Sequence, residues 1–153
     1  CLMSDVDEFN LIEARAIKIL SIREHSVYEL KKKLILKLPD FRTEIIDEVL
    51  IELQSKDFLS DERYAEMYVD MRSKKGFGPL RIRGELIERG ISRDIIEIEL
   101  EKLSQDWTTI LEKTVFLRFG EYQAGQPREL EKRVRFLNYR GFPESLIRGH
   151  LLD

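Results

Sequence analysis

The chain has 153 residues, a length that sets a prior of one ordinary domain. Charged residues make up 36% of it, against roughly 25% in an average globular protein, yet the 42% hydrophobic share still supplies a core. The formal charge of −3, from 26 basic and 29 acidic residues, excludes a uniformly basic nucleic-acid coat and leaves room only for a local basic face.

Apolar residues recur at helical spacing almost everywhere, and strand-like alternation is absent. Ile12, Ala16 and Ile19, at i, i+4 and i+7, predict a helix over about 8–22. Ser26-Val27-Tyr28-Glu29 has the form of a capping box, serine accepting from one end and glutamate reaching back, and opens a helix over 27–37. Leu38-Pro39-Asp40-Phe41 then ends this helix by a device not used later. Ile46, Val49, Leu50 and Leu53 carry the stripe of a helix over 44–55. Ser60, followed by Asp61 and Glu62, places an N-cap and two acids at the positive end of a helix dipole. That helix runs over 61–74, with Tyr64, Tyr68 and Met71 as its apolar face.

Gly76-Phe77-Gly78 reads as a helix stop, and Pro79 restarts the chain at a first helical position, where its missing N–H costs nothing. The new helix spans 79–89 and ends at Arg89-Gly90-Ile91, glycine taking the left-handed position and isoleucine folding back. Ile96, Leu100 and Leu103 mark a helix over 93–104. Trp107, Ile110, Leu111, Thr114 and Leu117 mark one over 107–119. Gln126-Pro127 opens a helix over 127–140 that closes at Arg140-Gly141-Phe142, and a last helix covers 144–152.

These helices repeat. Ile45-Ile46, Ile95-Ile96 and Leu146-Ile147 open the third helix of successive groups, 50 and 51 residues apart. The reading is an all-α protein of three tandem three-helix repeats of about 50 residues, over 8–56, 57–104 and 105–153. Repeats that pack on sequence neighbours are expected to form an elongated, curved array.

Charge is sorted by helix. The middle helices are basic (Lys31, Lys32, Lys33 and Lys37; Arg81, Arg83 and Arg89; Arg128, Lys132, Arg133, Arg135 and Arg140). The third helices of the first two repeats are acidic, with Glu44, Asp47, Glu48 and Glu52, then Asp94, Glu97, Glu99 and Glu101. Between positions 72 and 93 seven basic residues face two acidic ones. Lys74, Lys75, Arg81, Arg83 and Arg89 are expected to be exposed, because Ile82 and Leu86 bury the other side of their helix.

Catalytic chemistry is not written in this sequence. Asp61-Glu62 and Glu129/Glu131 do not face each other on a helix, so no paired acid and base is supported. There is no GxSxG elbow and no HExxH pair. One cysteine (Cys1) and two histidines (His25 and His150) exclude a disulfide framework and leave too few ligands for a metal; no cofactor is expected. His25 and His150 are read as structural or solvated, and Tyr64, Tyr68 and Trp107 as core. No uncharged stretch exceeds the six residues Tyr122 to Pro127, so no segment is expected to span a membrane. The N-terminal residues lack a basic region followed by an apolar run, and the expectation is a soluble, cytoplasmic protein without a secretory signal.

The central segment Ser60-Asp61-Glu62-Arg63-Tyr64-Ala65-Glu66-Met67-Tyr68-Val69, followed by Arg72, Lys75-Gly76, Gly78-Pro79, Arg81-Ile82, Glu85-Leu86 and Arg89-Gly90-Ile91, resembles the core signature of the RecX regulatory proteins. Ser26, Tyr28-Glu29-Leu30 and Lys33-Leu34 upstream, and Phe136-Leu137 with Arg140-Gly141-Phe142 downstream, are similar to that family's flanking motifs. The resemblance covers about Ala14 to Leu152. It implies a non-enzymatic bacterial modulator that binds the filament of the recombinase RecA on single-stranded DNA. Such a modulator inhibits filament extension, ATP hydrolysis, strand exchange and repressor cleavage. The expected partner is that filament, with weak direct binding to single- or double-stranded DNA as an addition, no membrane partner, and a monomeric state. The contact residues proposed from the charge sorting are Arg72, Lys74, Lys75, Arg81, Arg83, Arg89, Lys132, Arg133, Arg135 and Arg140. The alternative is a helical DNA-binding module acting through the same basic helices.

Overall fold

The structure, a computed structural model, describes residues 3–123 and 125–151. These residues form nine α-helices and no strand: α1 (Asp5–Ile22), α2 (Val27–Lys37), α3 (Thr43–Ser55), α4 (Asp61–Lys74), α5 (Pro79–Glu88), α6 (Arg93–Glu101), α7 (Trp107–Phe119), α8 (Pro127–Tyr139) and α9 (Glu144–Leu151). Residue 152, assigned to the last helix from the sequence, lies outside the described residues, as does Cys1.

The chain divides into two compact units. The first holds the chain through Ala65 together with Arg89–Ile91, and the second holds Glu66–Glu88 and Ser92 onward. In the first unit α3 packs on both α1 and α2. Its core is the predicted stripe set Ile12, Ala16, Ile19, Ile46, Val49, Leu50 and Leu53, joined by Leu30, Leu34, Ile45 and Leu59. In the second unit α5 packs on α6, and α7, α8 and α9 pack on one another. Ile82, Leu86, Ile96, Leu111 and Leu137 are fully buried there.

Side-chain caps set the starts of α1, α2 and α4. Ser26 Oγ accepts from the Glu29 amide at 3.1 Å while Glu29 Oε1 accepts from the Ser26 amide at 3.2 Å, so both halves of the capping box are made. Ser60 Oγ accepts from the Arg63 amide at 3.1 Å. Asp61 does more than complement a dipole: its Oδ1 accepts the Val27 amide at 2.8 Å, satisfying a free N–H at the start of α2. The Ser26 hydroxyl also donates to the Arg89 carbonyl at 2.7 Å. Helix α1 begins at Asp5, earlier than its apolar stripe indicated, because Ser4 accepts from the Asp7 amide and three acids occupy the first turn.

Three helices end in the same way. Phe142 N–H donates to Leu137 and Gly141 N–H to Asn138; Phe77 repeats this on Arg72 and Gly76 on Ser73. Each pair of bonds closes a Schellman motif around a glycine with positive φ, +92° at Gly141 and +86° at Gly76. In α3 the left-handed position is filled by Asp57, at φ 65°, with Phe58 N–H donating to Leu53.

Two expectations shift. Helix α6 ends at Glu101 rather than 104, since Leu103, Ser104 and Asp106 donate three residues back instead of four and tighten into turns. Leu117 is 73% exposed, and Val115 takes its place in the core. At about 100° per residue Val115 lies nearer the Trp107, Leu111 and Thr114 direction than Leu117 does, which explains the exchange.

Candidate protein interface

The loop Lys75–Gly78 and the helices around it, all in the second unit, gather three of the arginines singled out from the sequence, Arg72, Arg81 and Arg140. Phe77 is half-buried, and three guanidinium groups cover its ring: Arg72 at 3.7 Å, Arg140 at 4.5 Å and Arg81 at 4.7 Å from the ring centre. Glu85 on α5 binds two of them. Arg72 donates to both of its oxygens, at 2.9 and 2.8 Å, and Arg81 donates to Oε2 at 3.3 Å. The Tyr68 hydroxyl donates to Glu85 Oε1 at 2.9 Å. Burial alone would raise the Glu85 carboxyl, but the hydrogen bonds from Arg72, Tyr68 and Arg81 outweigh it and hold the group below its ordinary range. Burial lowers the Arg140 guanidinium, and the neighbouring Arg81 and Arg72 charges push it further down.

Backbone contacts lock this cluster. The Gly78 amide donates to the Arg140 carbonyl at 2.7 Å and the Leu80 amide to the Gly141 carbonyl at 2.9 Å. Arg140 Nη1 returns to the Lys75 carbonyl at 2.9 Å, and Arg81 Nη1 reaches the Tyr139 carbonyl at 3.2 Å. The Gly-Pro and Arg-Gly-Phe motifs therefore form one junction between the start of α5 and the end of α8.

The remaining sequence-predicted residues separate by exposure. Lys74 and Lys75 are exposed, with Lys74 within 3.1 Å of Asp70 one turn earlier. Lys132 and Arg135 are exposed on α8. Arg81, Arg83 and Arg89 are half-buried, which corrects the expectation of free exposure, while Ile82 and Leu86 are buried as expected. Arg83 grips Glu97 of α6 with two bonds, at 2.6 and 3.1 Å, which raises its own pKa and lowers that of Glu97.

Arg133 is a second correction. It is 2% exposed, so it offers no surface. Its guanidinium donates to the Gly120 and Glu121 carbonyls at 3.2 and 2.9 Å and lies near the Phe119 and Tyr122 rings, securing the turn after α7. Its place on a strongly basic helix concealed that role, since a basic run gives no sign of which member faces inward.

His25 is buried, with Nδ1 3.0 Å from the Arg23 carbonyl, and burial lowers its pKa. His150 lies 3.8 Å from Glu112. Among the described residues no group of three or more His, Cys, Asp or Glu could hold a metal, and no helix is long and apolar enough to cross a membrane.

Comparison with known proteins agrees with this architecture. Residues 60–100, which run from the Ser60 cap into the last turn of α6, match the family model described as RecX, second three-helix domain. The regulatory protein RecX of Pseudomonas fluorescens strain SBW25 is 35% identical over 142 residues, covering 93% of this chain and 90% of the relative. That of Pseudomonas entomophila strain L48 is 37% identical over 143 residues, with the same coverage. The crystal structure of RecX from Lactobacillus salivarius superposes with a TM-score of 0.77 at 24% identity, over 94% of each chain. A second crystal structure of a regulatory protein RecX gives 0.81 at 24% identity, over 97% of this chain and 74% of that one. With relatives this similar over nearly their whole length, and with the capped α4–α6 segment matching the family model, the chain belongs to the RecX family of regulatory proteins.

Proposed function

We propose that this protein binds the RecA filament on single-stranded DNA and inhibits its extension, ATPase, strand exchange and coprotease activity, acting by binding rather than catalysis. Family membership supplies the partner. The observation that carries the contact is the basic surface beside the Phe77 junction, where the exposed Lys74 and Lys75 adjoin Arg72, Arg81 and Arg140. Lys132 and Arg135 are further exposed cations on α8, and the proposal includes them in the contact. Arg81 and Arg83 contribute through the positions they fix, since each holds a carboxylate of the chain itself, Glu85 and Glu97. Such a surface sets encounter rate and register against an acidic or DNA-bearing partner.

The test is RecA ATPase on single-stranded DNA with increasing amounts of this protein. Inhibition below one molecule per recombinase protomer supports the reading, and an unchanged rate contradicts it. A direct DNA-binding module is the second reading, supported by the same exposed lysines and arginine. It requires affinity for naked DNA that falls with salt by about 0.9 in log K per log salt for each phosphate neutralised.

A further inference from the structure

The C-terminal end of α4, helix α7 and helix α8 enclose an open cleft of about 660 Å³ within the second unit. Five cations line it: Lys74, Lys75, Lys113, Arg118 and Arg140. Among the described residues that line it there is no carboxylate. In a chain with more acidic than basic residues, a lining of one sign stands out. Lys113 and Arg118 come from α7, which the charge sorting of the middle helices did not single out, and both are exposed. The floor is apolar. Ile110 and Phe136 form it, and Leu117, 73% exposed, stands at its edge. The two hydroxyls of the lining, Ser73 and Thr114, already donate to the Asp70 and Ile110 carbonyls of their own helices.

This combination selects among anionic ligands. A nucleic-acid strand needs phosphate contacts and an open aromatic face for its bases. Phe136 offers no such face: its ring meets Phe119 edge-on at 5.4 Å, and Arg140 lies 5.0 Å from its centre. The free part of the floor is aliphatic, which suits a leucine-like side chain flanked by carboxylates. We propose that this cleft is a docking site for an acidic peptide segment of a protein partner, an apolar side chain entering between Ile110 and Leu117 while flanking carboxylates meet Lys113, Arg118 and Lys75. The site shares Lys74, Lys75 and Arg140 with the proposed filament surface but does not depend on that reading, because Lys113 and Arg118 of α7 belong to the cleft alone and binding can be probed without recombinase.

The experiment is fluorescence anisotropy at low and physiological salt on the whole chain, with three labelled probes of equal charge: a peptide of Glu and Leu, a peptide of Glu and Ser, and an oligothymidylate. Saturable binding of the Glu/Leu peptide, at least about tenfold tighter than the Glu/Ser peptide, is the expected result, with Leu117→Ser removing that preference. Lys113→Glu with Arg118→Glu should weaken the Glu/Leu peptide by at least about tenfold. Both positions are exposed, and a circular dichroism melt checks the fold; should helicity fall, Lys113→Gln with Arg118→Gln takes the place of the reversal. No saturable binding, binding indifferent to these substitutions, or an oligothymidylate that binds as tightly as the peptide would each overturn the proposal.

Discussion

A Cβ placed on Gly141 would lie 2.3 Å from the Cβ of Arg81, closer than side chains tolerate, and Gly141 itself holds φ at +92°. The close approach of these two residues is what brings the end of α8 against the start of α5 and sets Arg140 beside Arg72 and Arg81. Glycine is required here twice, for the backbone conformation and for the space. Gly141→Ala should therefore lower stability by about 1–3 kcal/mol. Gly84, inside α5, has open space where a Cβ would stand, with no neighbouring atom within 4 Å. It should respond in the opposite sense, gaining about 0.5–1 kcal/mol as alanine. Urea unfolding midpoints of the two variants test the contrast directly.

Glu85 gives the cluster a pH dependence. Its carboxyl is held below the ordinary glutamate value of 4.5 in the folded chain, so between the two values the unfolded chain binds more protons. The stabilisation is complete above about pH 4.5 and is lost as pH falls through the lower, folded value. Glu85→Gln should cost about 1.5–3 kcal/mol near neutrality, through weakened bonds to Arg72 and Arg81. The gap between parent and variant should shrink as pH falls below 4.5. Denaturant titrations at several pH values measure that gap.

Much of this organisation was legible in the sequence, and the limits have physical causes. The Ser26 box, the Pro79 restart and the Arg140-Gly141-Phe142 stop are local devices, complete within a few residues, and each forms as the spacing indicates. The stripes of α1 and α3 are equally direct, because burial follows a 3.6-residue period. What spacing could not convey is which charged side chain is used internally. Arg83 meets Glu97 fourteen residues away, Arg81 meets the Tyr139 carbonyl across the α5–α8 junction, and Arg133 turns inward to hold Gly120 and Glu121. A count of basic residues treats all of these as surface. Lys113 and Arg118 were missed for the converse reason: they are two scattered cations on a mostly uncharged α7, and only the fold places them with Lys75 and Arg140.

Folding and surface charge should separate. Leu86, fully buried in α5, should cost about 2–5 kcal/mol as alanine by leaving a cavity. A Lys75→Glu, Lys132→Glu, Arg135→Glu variant changes only exposed positions and should melt close to the parent, each change amounting to less than about 0.5 kcal/mol. Arg81 and Arg83 are left out of that set because reversing them would set glutamates against Glu85 and Glu97. Differential scanning calorimetry of the two variants separates the effects.

The most direct test is the rate of RecA ATP hydrolysis on single-stranded DNA, titrated with the parent and with the Lys75→Glu, Lys132→Glu, Arg135→Glu variant at matched folded concentration. The parent should suppress hydrolysis, and the variant should need at least about tenfold more protein for the same suppression. Equal suppression by both would contradict the assignment of the contact to this basic surface, and no suppression by the parent would contradict the filament reading itself.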